Sequence, residues 1–116
     1  MGGGESASPG GGGRQAFVPP GGFRSQGSLD YHFGRHANEL GADTAGAYEQ
    51  LARQHLNRPA DGVNVLEFYR SDGDRLVYDV QNNWFGIVTN DGTIRTFFSP
   101  EAGMRYWDNV IAREQS

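Results

Sequence analysis

Val63-Asn64-Val65-Leu66-Glu67-Phe68-Tyr69-Arg70-Ser71-Asp72-Gly73-Asp74-Arg75-Leu76-Val77-Tyr78-Asp79-Val80 is where the chain changes period. Upstream of it, apolar residues recur every three or four positions. From here they alternate on a period of two, as strands do. Residues 63–70 read as one strand. Residues 75–80 read as a second, with Leu76, Tyr78 and Val80 on one face. Between them Ser71-Asp72-Gly73-Asp74 is a turn in which glycine supplies positive φ. Downstream, Gln81-Asn82-Asn83 leads into a strand over 84–89, and Asn90-Asp91-Gly92 leads into another over 93–98. Loops this short join only antiparallel neighbours, so the spacing predicts a four-stranded antiparallel meander.

Helices flank the meander. Leu29, Phe33, Ala37 and Leu40 share one face of a helix over 29–40, which Ser28 can cap and Gly41 can close. Tyr48, Leu51, Ala52, His55 and Leu56 form the apolar stripe of a second helix over about 45–57, capped by Asp43 or Thr44. Residues 102–114 read as a final helix with Tyr106, Trp107, Val110 and Ile111 inward. The expected class is α+β: N-terminal helices, meander, C-terminal helix, with the helices on one sheet face.

Residues 1–28 hold ten glycines and three prolines, interrupted by little that is apolar beyond Phe17, Val18 and Phe23. Such a composition buries too little surface to offset its ordering entropy. It reads as a disordered linker, leaving 29–116 as the folding unit. No apolar run reaches membrane-spanning length, so no membrane partner is expected. The absence of cysteine excludes disulfides, thiolate metal sites and a thiol nucleophile. All ten basic residues are arginine, which removes lysine as a general base. Residues 29–116 carry thirteen carboxylates against eight arginines. That balance opposes broad electrostatic binding of nucleic acid and requires any such activity to rest on a local positive site.

The candidate chemistry lies in two clusters. His32, Arg35 and His36 stand at i, i+3 and i+4 of the first helix, so their side chains project together. Imidazoles titrate near neutral pH and can serve as base and acid, while arginine offers a planar fork for phosphate. The plainer reading is a solvated polar face. A zinc site is disfavoured, because a guanidinium sits beside both ligands and Phe33-Gly34-Arg35 is not the zinc-protease spacing. Arg95 and Thr96 form the second cluster. Strand alternation lets only one of them face a site unless a bulge turns the other. Tyr31 and Tyr78 could stack on a base, though packing explains each as simply. His55, on an apolar stripe, reads as a core histidine.

The runs Tyr31-His32-Phe33-Gly34-Arg35-His36, Glu39-Leu40-Gly41, Arg70-Ser71-Asp72-Gly73-Asp74, Phe85-Gly86-Ile87-Val88, Asp91-Gly92-Thr93-Ile94-Arg95-Thr96-Phe97-Phe98 and Tyr106-Trp107 are similar to a group of bacterial polymorphic-toxin C-terminal domains. These belong to the barnase/EndoU/colicin/RelE-like ribonucleases and include tips of contact-dependent inhibition proteins. The resemblance covers about residues 30–108. It implies a metal-independent endoribonuclease, often cutting tRNA, with no cofactor. It also implies delivery from the producing cell into a competitor's cytoplasm and a cognate immunity protein that covers the active site. A monomer is expected. Arg35 stands where such toxins typically carry lysine; it can bind phosphate but makes a poor base.

The expected mechanism is transesterification. His32 or His36 takes the ribose 2′-OH proton, and the other imidazole, or a relay through Thr96, protonates the leaving 5′-oxygen. Arg35 and Arg95 stabilise the phosphorane. Two rivals remain. One is a non-enzymatic interaction module on a flexible tether. The other is a nucleotide- or NAD-directed hydrolase, which would depend on a carboxylate.

Overall fold

The computed structural model describes residues 18–116. Chain order is β1 (Gly22–Phe23), α1 (Gln26–Leu40), α2 (Ala45–Leu56), β2 (Val65–Tyr69), β3 (Arg75–Asp79), β4 (Trp84–Val88), β5 (Thr93–Phe98) and α3 (Met104–Gln115). The class is α+β, with three helices and a five-stranded mixed sheet in the order β1-β5-β4-β3-β2. From β2 to β5 each strand lies antiparallel to the next, while β1 runs parallel to β5. Gly73 and Gly92 take positive φ in their turns, at 96° and 93°. A side chain at Gly92 would also meet the Pro19 carbonyl at 2.8 Å.

Three expectations need correction. First, the sheet gains a parallel strand from a segment assigned to the linker, and the first helix begins at Gln26. Its cap is Ser25, whose Oγ accepts the Ser28 N–H at 3.1 Å, so Ser28 lies inside the helix. The segment is held through its few apolar and backbone groups. Phe23 stacks on His32 and Tyr48, with centroids 5.1 and 5.7 Å away. The Gly21 N–H donates to the Gly92 carbonyl at 2.7 Å, and the Phe23 N–H to Glu49 Oε2 at 3.1 Å. Residues 1–17 of the expected linker lie outside the described residues.

Second, helices cover both faces of the sheet. Leu29, Tyr48, Leu56, Val65, Val77, Val88, Ile94 and Phe97 form the core beneath α1 and α2. Leu76, Tyr78, Phe85, Ile87, Trp107 and Val110 form a second core beneath α3. The cause lies in β3 and β4. Leu76-Val77-Tyr78 and Ile87-Val88 place apolar groups on both faces of the sheet, and each face must leave water. Third, Tyr78 belongs to that second core. It is 2% exposed, stacks on Trp107 at 6.0 Å and donates its hydroxyl to Asn83 Oδ1 at 2.5 Å. No ring face is left for a base.

Buried polar side chains fix α2 against the sheet. Arg75, 6% exposed, donates from Nη1 to the Leu56 carbonyl and from Nη2 to the Arg58 carbonyl, both at 2.8 Å. These carbonyls at the helix end have no partner within the helix itself. Nε of Arg75 pairs with Glu67 at 2.8 Å. Gly86 admits the close approach of α2, since a Cβ there would lie 3.0 Å from Leu56 Cδ2 and 3.1 Å from His55 Cδ2.

His55 is a core residue, 2% exposed, with Nε2 3.0 Å from the Val77 carbonyl. Burial, opposed by the Val77 contact and Asp79, pushes its imidazole down from 6.5 to about 4. The unfolded chain therefore takes up this proton first. Stability is full above pH 6.5 and drains away as pH falls toward about 4. We expect His55 to contribute roughly 3 kcal/mol of that loss. Denaturant titrations from pH 7 to 4 should show a shallower decline in a His55→Gln protein; an identical slope would refute the assignment.

Candidate active site

The helical spacing does bring the two imidazoles together. His32 and His36 stack with centroids 6.2 Å apart and planes 26° apart. Phe23 covers His32 on one side, and Phe98 stacks on His36 at 5.3 Å on the other. The four rings form a file along α1, beside β5. The outer edge of β5 is open there, because β1 reaches only Thr93 and Ile94. Both histidines are half-buried, and their Nδ1 atoms have no hydrogen-bond partner among the described residues.

The environments of the two rings differ. His36 Nδ1 lies 3.4 Å from Glu39 Oε2, and that oxygen accepts the Ser99 N–H at 2.8 Å. His32 has no carboxylate contact of this kind among the described residues. Burial first, then the charges of His36 and Arg35, hold its imidazole below the ordinary range. Such a group is neutral at physiological pH and free to accept a proton.

Arg95 reaches the site through a bulge. Ile87 pairs with Thr96 and Val88 with Ile94, which leaves Arg95 as the extra residue of β5. Its Nε lies 2.8 Å from Asp74 Oδ2, and its side chain stays 55% exposed. Thr96 sits opposite Ile87, on the sheet face that α3 covers. Arg35 and Tyr31 occupy the outer flank of α1. Both are exposed, with the guanidinium 5.6 Å above the Tyr31 ring and that ring edge-on to His32 at 5.4 Å.

A cleft of about 410 Å³ opens where α1 meets β5. Arg24, Ser28 and His32 form one wall; Thr89, Asp91, Thr93, Ile94 and Arg95 form the other. The structure thus gathers His32 and Arg95 around one space, with His36 stacked behind His32. Arg35, Thr96, Tyr31 and Tyr78 do not line it. Arg24 and Asp91 do, and the sequence reading had not marked either one as part of a site. Arg24 was hidden in glycine-rich sequence; the available signal was a Phe-Arg-Ser run just ahead of an amphipathic stretch. Asp91 sits in the Asn90-Asp91-Gly92 turn, where hydrogen bonds from Thr89 and Thr93 hold its carboxyl below the usual range.

Neither a family model nor a curated protein matches this chain. Among the described residues, no group of three or more His, Asp or Glu side chains is placed to hold a metal ion. No helix among them is long and apolar enough to cross a membrane.

The cleft can bind an anion between two guanidiniums and can accept a proton at His32. Proton NMR should find the His32 midpoint below 6.5. Removing either neighbouring positive charge, in His36→Ala or Arg35→Ala, should raise it. A His32 midpoint at or above the ordinary value in the native protein would contradict this account of the site.

Proposed function

We propose that this protein is a metal-independent endoribonuclease of the barnase/EndoU/colicin/RelE-like toxin group. The observation that carries the reading is the position of His32, a half-buried imidazole held in its neutral form, on a cleft shared with Arg24 and Arg95. A base beside two cations supplies what phosphodiester transesterification requires. The chain carries a formal charge of −4, so affinity for RNA has to come from such a local site.

In the proposed step His32 accepts the 2′-OH proton, and the 2′-oxygen attacks phosphorus. The bond to the 5′-oxygen breaks, and His36, the second acid–base group of the file, supplies the proton to that leaving oxygen. Arg24 and Arg95 hold the phosphate and the charge that accumulates on it. The products are a 2′,3′-cyclic phosphate and a 5′-hydroxyl. Thr96 has no role in this version, because it faces the α3 side. Tyr31, exposed at the flank with Arg35 against its ring, is the group best placed to stack on an adjoining base.

The fold supports the reading only in part. Helices followed by successive antiparallel strands agree with the group; β1 and a helix on the second sheet face are additions to it. The toxin context belongs to the same proposal: tRNA as substrate, delivery into a competitor's cytoplasm, and an immunity protein over the cleft.

The test uses the full chain with total bacterial RNA in EDTA. Fragments ending in 2′,3′-cyclic phosphate are expected, while DNA stays intact because it lacks the nucleophile. His32→Ala should slow cleavage by roughly 10²–10⁴-fold. RNA left intact at high enzyme concentration would overturn the proposal.

A further inference from the structure

We infer that Asp74 is a positioning residue that presents Arg95 to the phosphate of the substrate; the inference rests on the endoribonuclease reading above. Asp74 closes the turn before β3 and is 3% exposed. A carboxylate so deeply buried is costly unless a cation lies against it. Two do. Its Oδ2 lies 2.8 Å from Arg95 Nε and 3.6 Å from Arg70 Nη1.

The turn holds this carboxylate in place. The Asp74 N–H donates to Asp72 Oδ1 at 2.9 Å, and its carbonyl accepts the Arg70 N–H at 2.9 Å. Arg70 is anchored in turn on α3, through Nε to Glu114 Oε2 at 2.7 Å. Arg75 pairs with Val88 and Val88 with Ile94, so the turn residue Asp74 lies across β4 from the bulge at Arg95. The bulge takes Arg95 out of the regular alternation, and Asp74 gives the displaced guanidinium a fixed end.

The mode of contact is what suits substrate binding. Asp74 meets Nε, the inner nitrogen of the guanidinium. The two outer nitrogens have no protein partner among the described residues, and the side chain is 55% exposed on the cleft that holds His32. A guanidinium gripped at Nε presents its terminal N–H groups as a fork for two phosphate oxygens. The Nε–H is not aimed along a full hydrogen bond, since Oδ2 has none. The hold is therefore electrostatic and lets the fork tilt toward a ligand.

The test is a double-mutant cycle in the full chain, read by RNA cleavage, by binding of a non-cleavable 2′-O-methyl RNA, and by NMR relaxation of the Arg95 Nε–H. Asp74→Asn should raise KM and weaken oligonucleotide binding by about tenfold with little change in kcat. It should also leave the Arg95 Nε–H mobile. Arg95→Ala should cost about a hundredfold in kcat/KM, and adding Asp74→Asn to it should cost nothing more. Equal losses in both backgrounds, or an Arg95 Nε–H as ordered in Asp74→Asn as in the native protein, would overturn the positioning role. If Asp74→Asn fails to fold, Arg95→Lys decides. An ammonium drawn onto Asp74 has no second prong to offer, so KM should rise as in Arg95→Ala; a native KM would refute the inference. A native protein that neither binds nor cuts RNA sinks the functional reading, whatever the Arg95 resonance shows.

Discussion

The hydroxyl of Tyr48 donates to the carbonyl of Phe97, and the arrangement of the site depends on that bond. β5 is paired on its inner side by β4, but β1 covers its outer side only at Thr93 and Ile94. Backbone groups further along would otherwise be left without partners at a sheet edge packed against helices. Tyr48, from α2, satisfies the Phe97 carbonyl. Glu39, from α1, satisfies the Ser99 N–H. Tyr48 is fully buried, and its ring meets Phe23, Phe33 and Phe97. One side chain thus joins β1, α1, α2 and β5. With α1 fixed over the open edge, His32 and His36 have no choice but to lie along it.

The charged residues divide between holding the fold and lining the cleft. Arg75, Asp79 and Arg58 are committed to the first task. Asp79 accepts the Gln81 and Asn82 N–H groups at 3.0 Å and pairs with Arg58. Burial alone would raise its carboxyl, but these hydrogen bonds outweigh it and hold Asp79 below the usual range. Arg24 is different. It is exposed on the cleft and has no carboxylate partner among the described residues. An acidic protein can still offer a positive site when arginines such as Arg75 and Arg58 are spent on carbonyls and carboxylates while Arg24 and Arg95 face solvent at one place.

Local rules were enough for much of the fold. Thr44 caps α2 through the Ala47 N–H at 3.1 Å, Gly41 closes α1 with φ 70°, and Gly73 and Gly92 turn their hairpins as their positions required. The histidine pair was legible for the same reason, since helical spacing alone makes i and i+4 neighbours. What was not legible depends on partners distant in sequence. A strand of two residues has no period to detect, so β1 and Arg24 were lost in glycine-rich sequence. Alternation placed Leu76, Tyr78 and Val80 on one face but could not say that α3 would cover it. The bulge at Arg95 is set by the pairing of β4 with β5, which no window around residue 95 contains. The site was thus partly visible: its imidazoles came from local spacing and Arg95 was a candidate, while Arg24 and the actual placement of the bulge came from tertiary registration.

The ring file also explains how two identical side chains acquire different chemistry. Both imidazoles sit on one helix face, flanked by phenylalanines, at similar depth. Burial first, then the charges of His36, whose ring centroid is 6.2 Å away, and of Arg35, lower the imidazole of His32. His36 lies beside the Glu39 carboxylate, while His32 is flanked by Arg35 and opens on a cleft with two guanidiniums. These surroundings keep the His32 imidazole below the ordinary range. An anion between Arg24 and Arg95 would offset the positive field on His32. Under the proposed reading, the charge of an RNA phosphate would then promote the protonation of His32 that the cleft alone discourages.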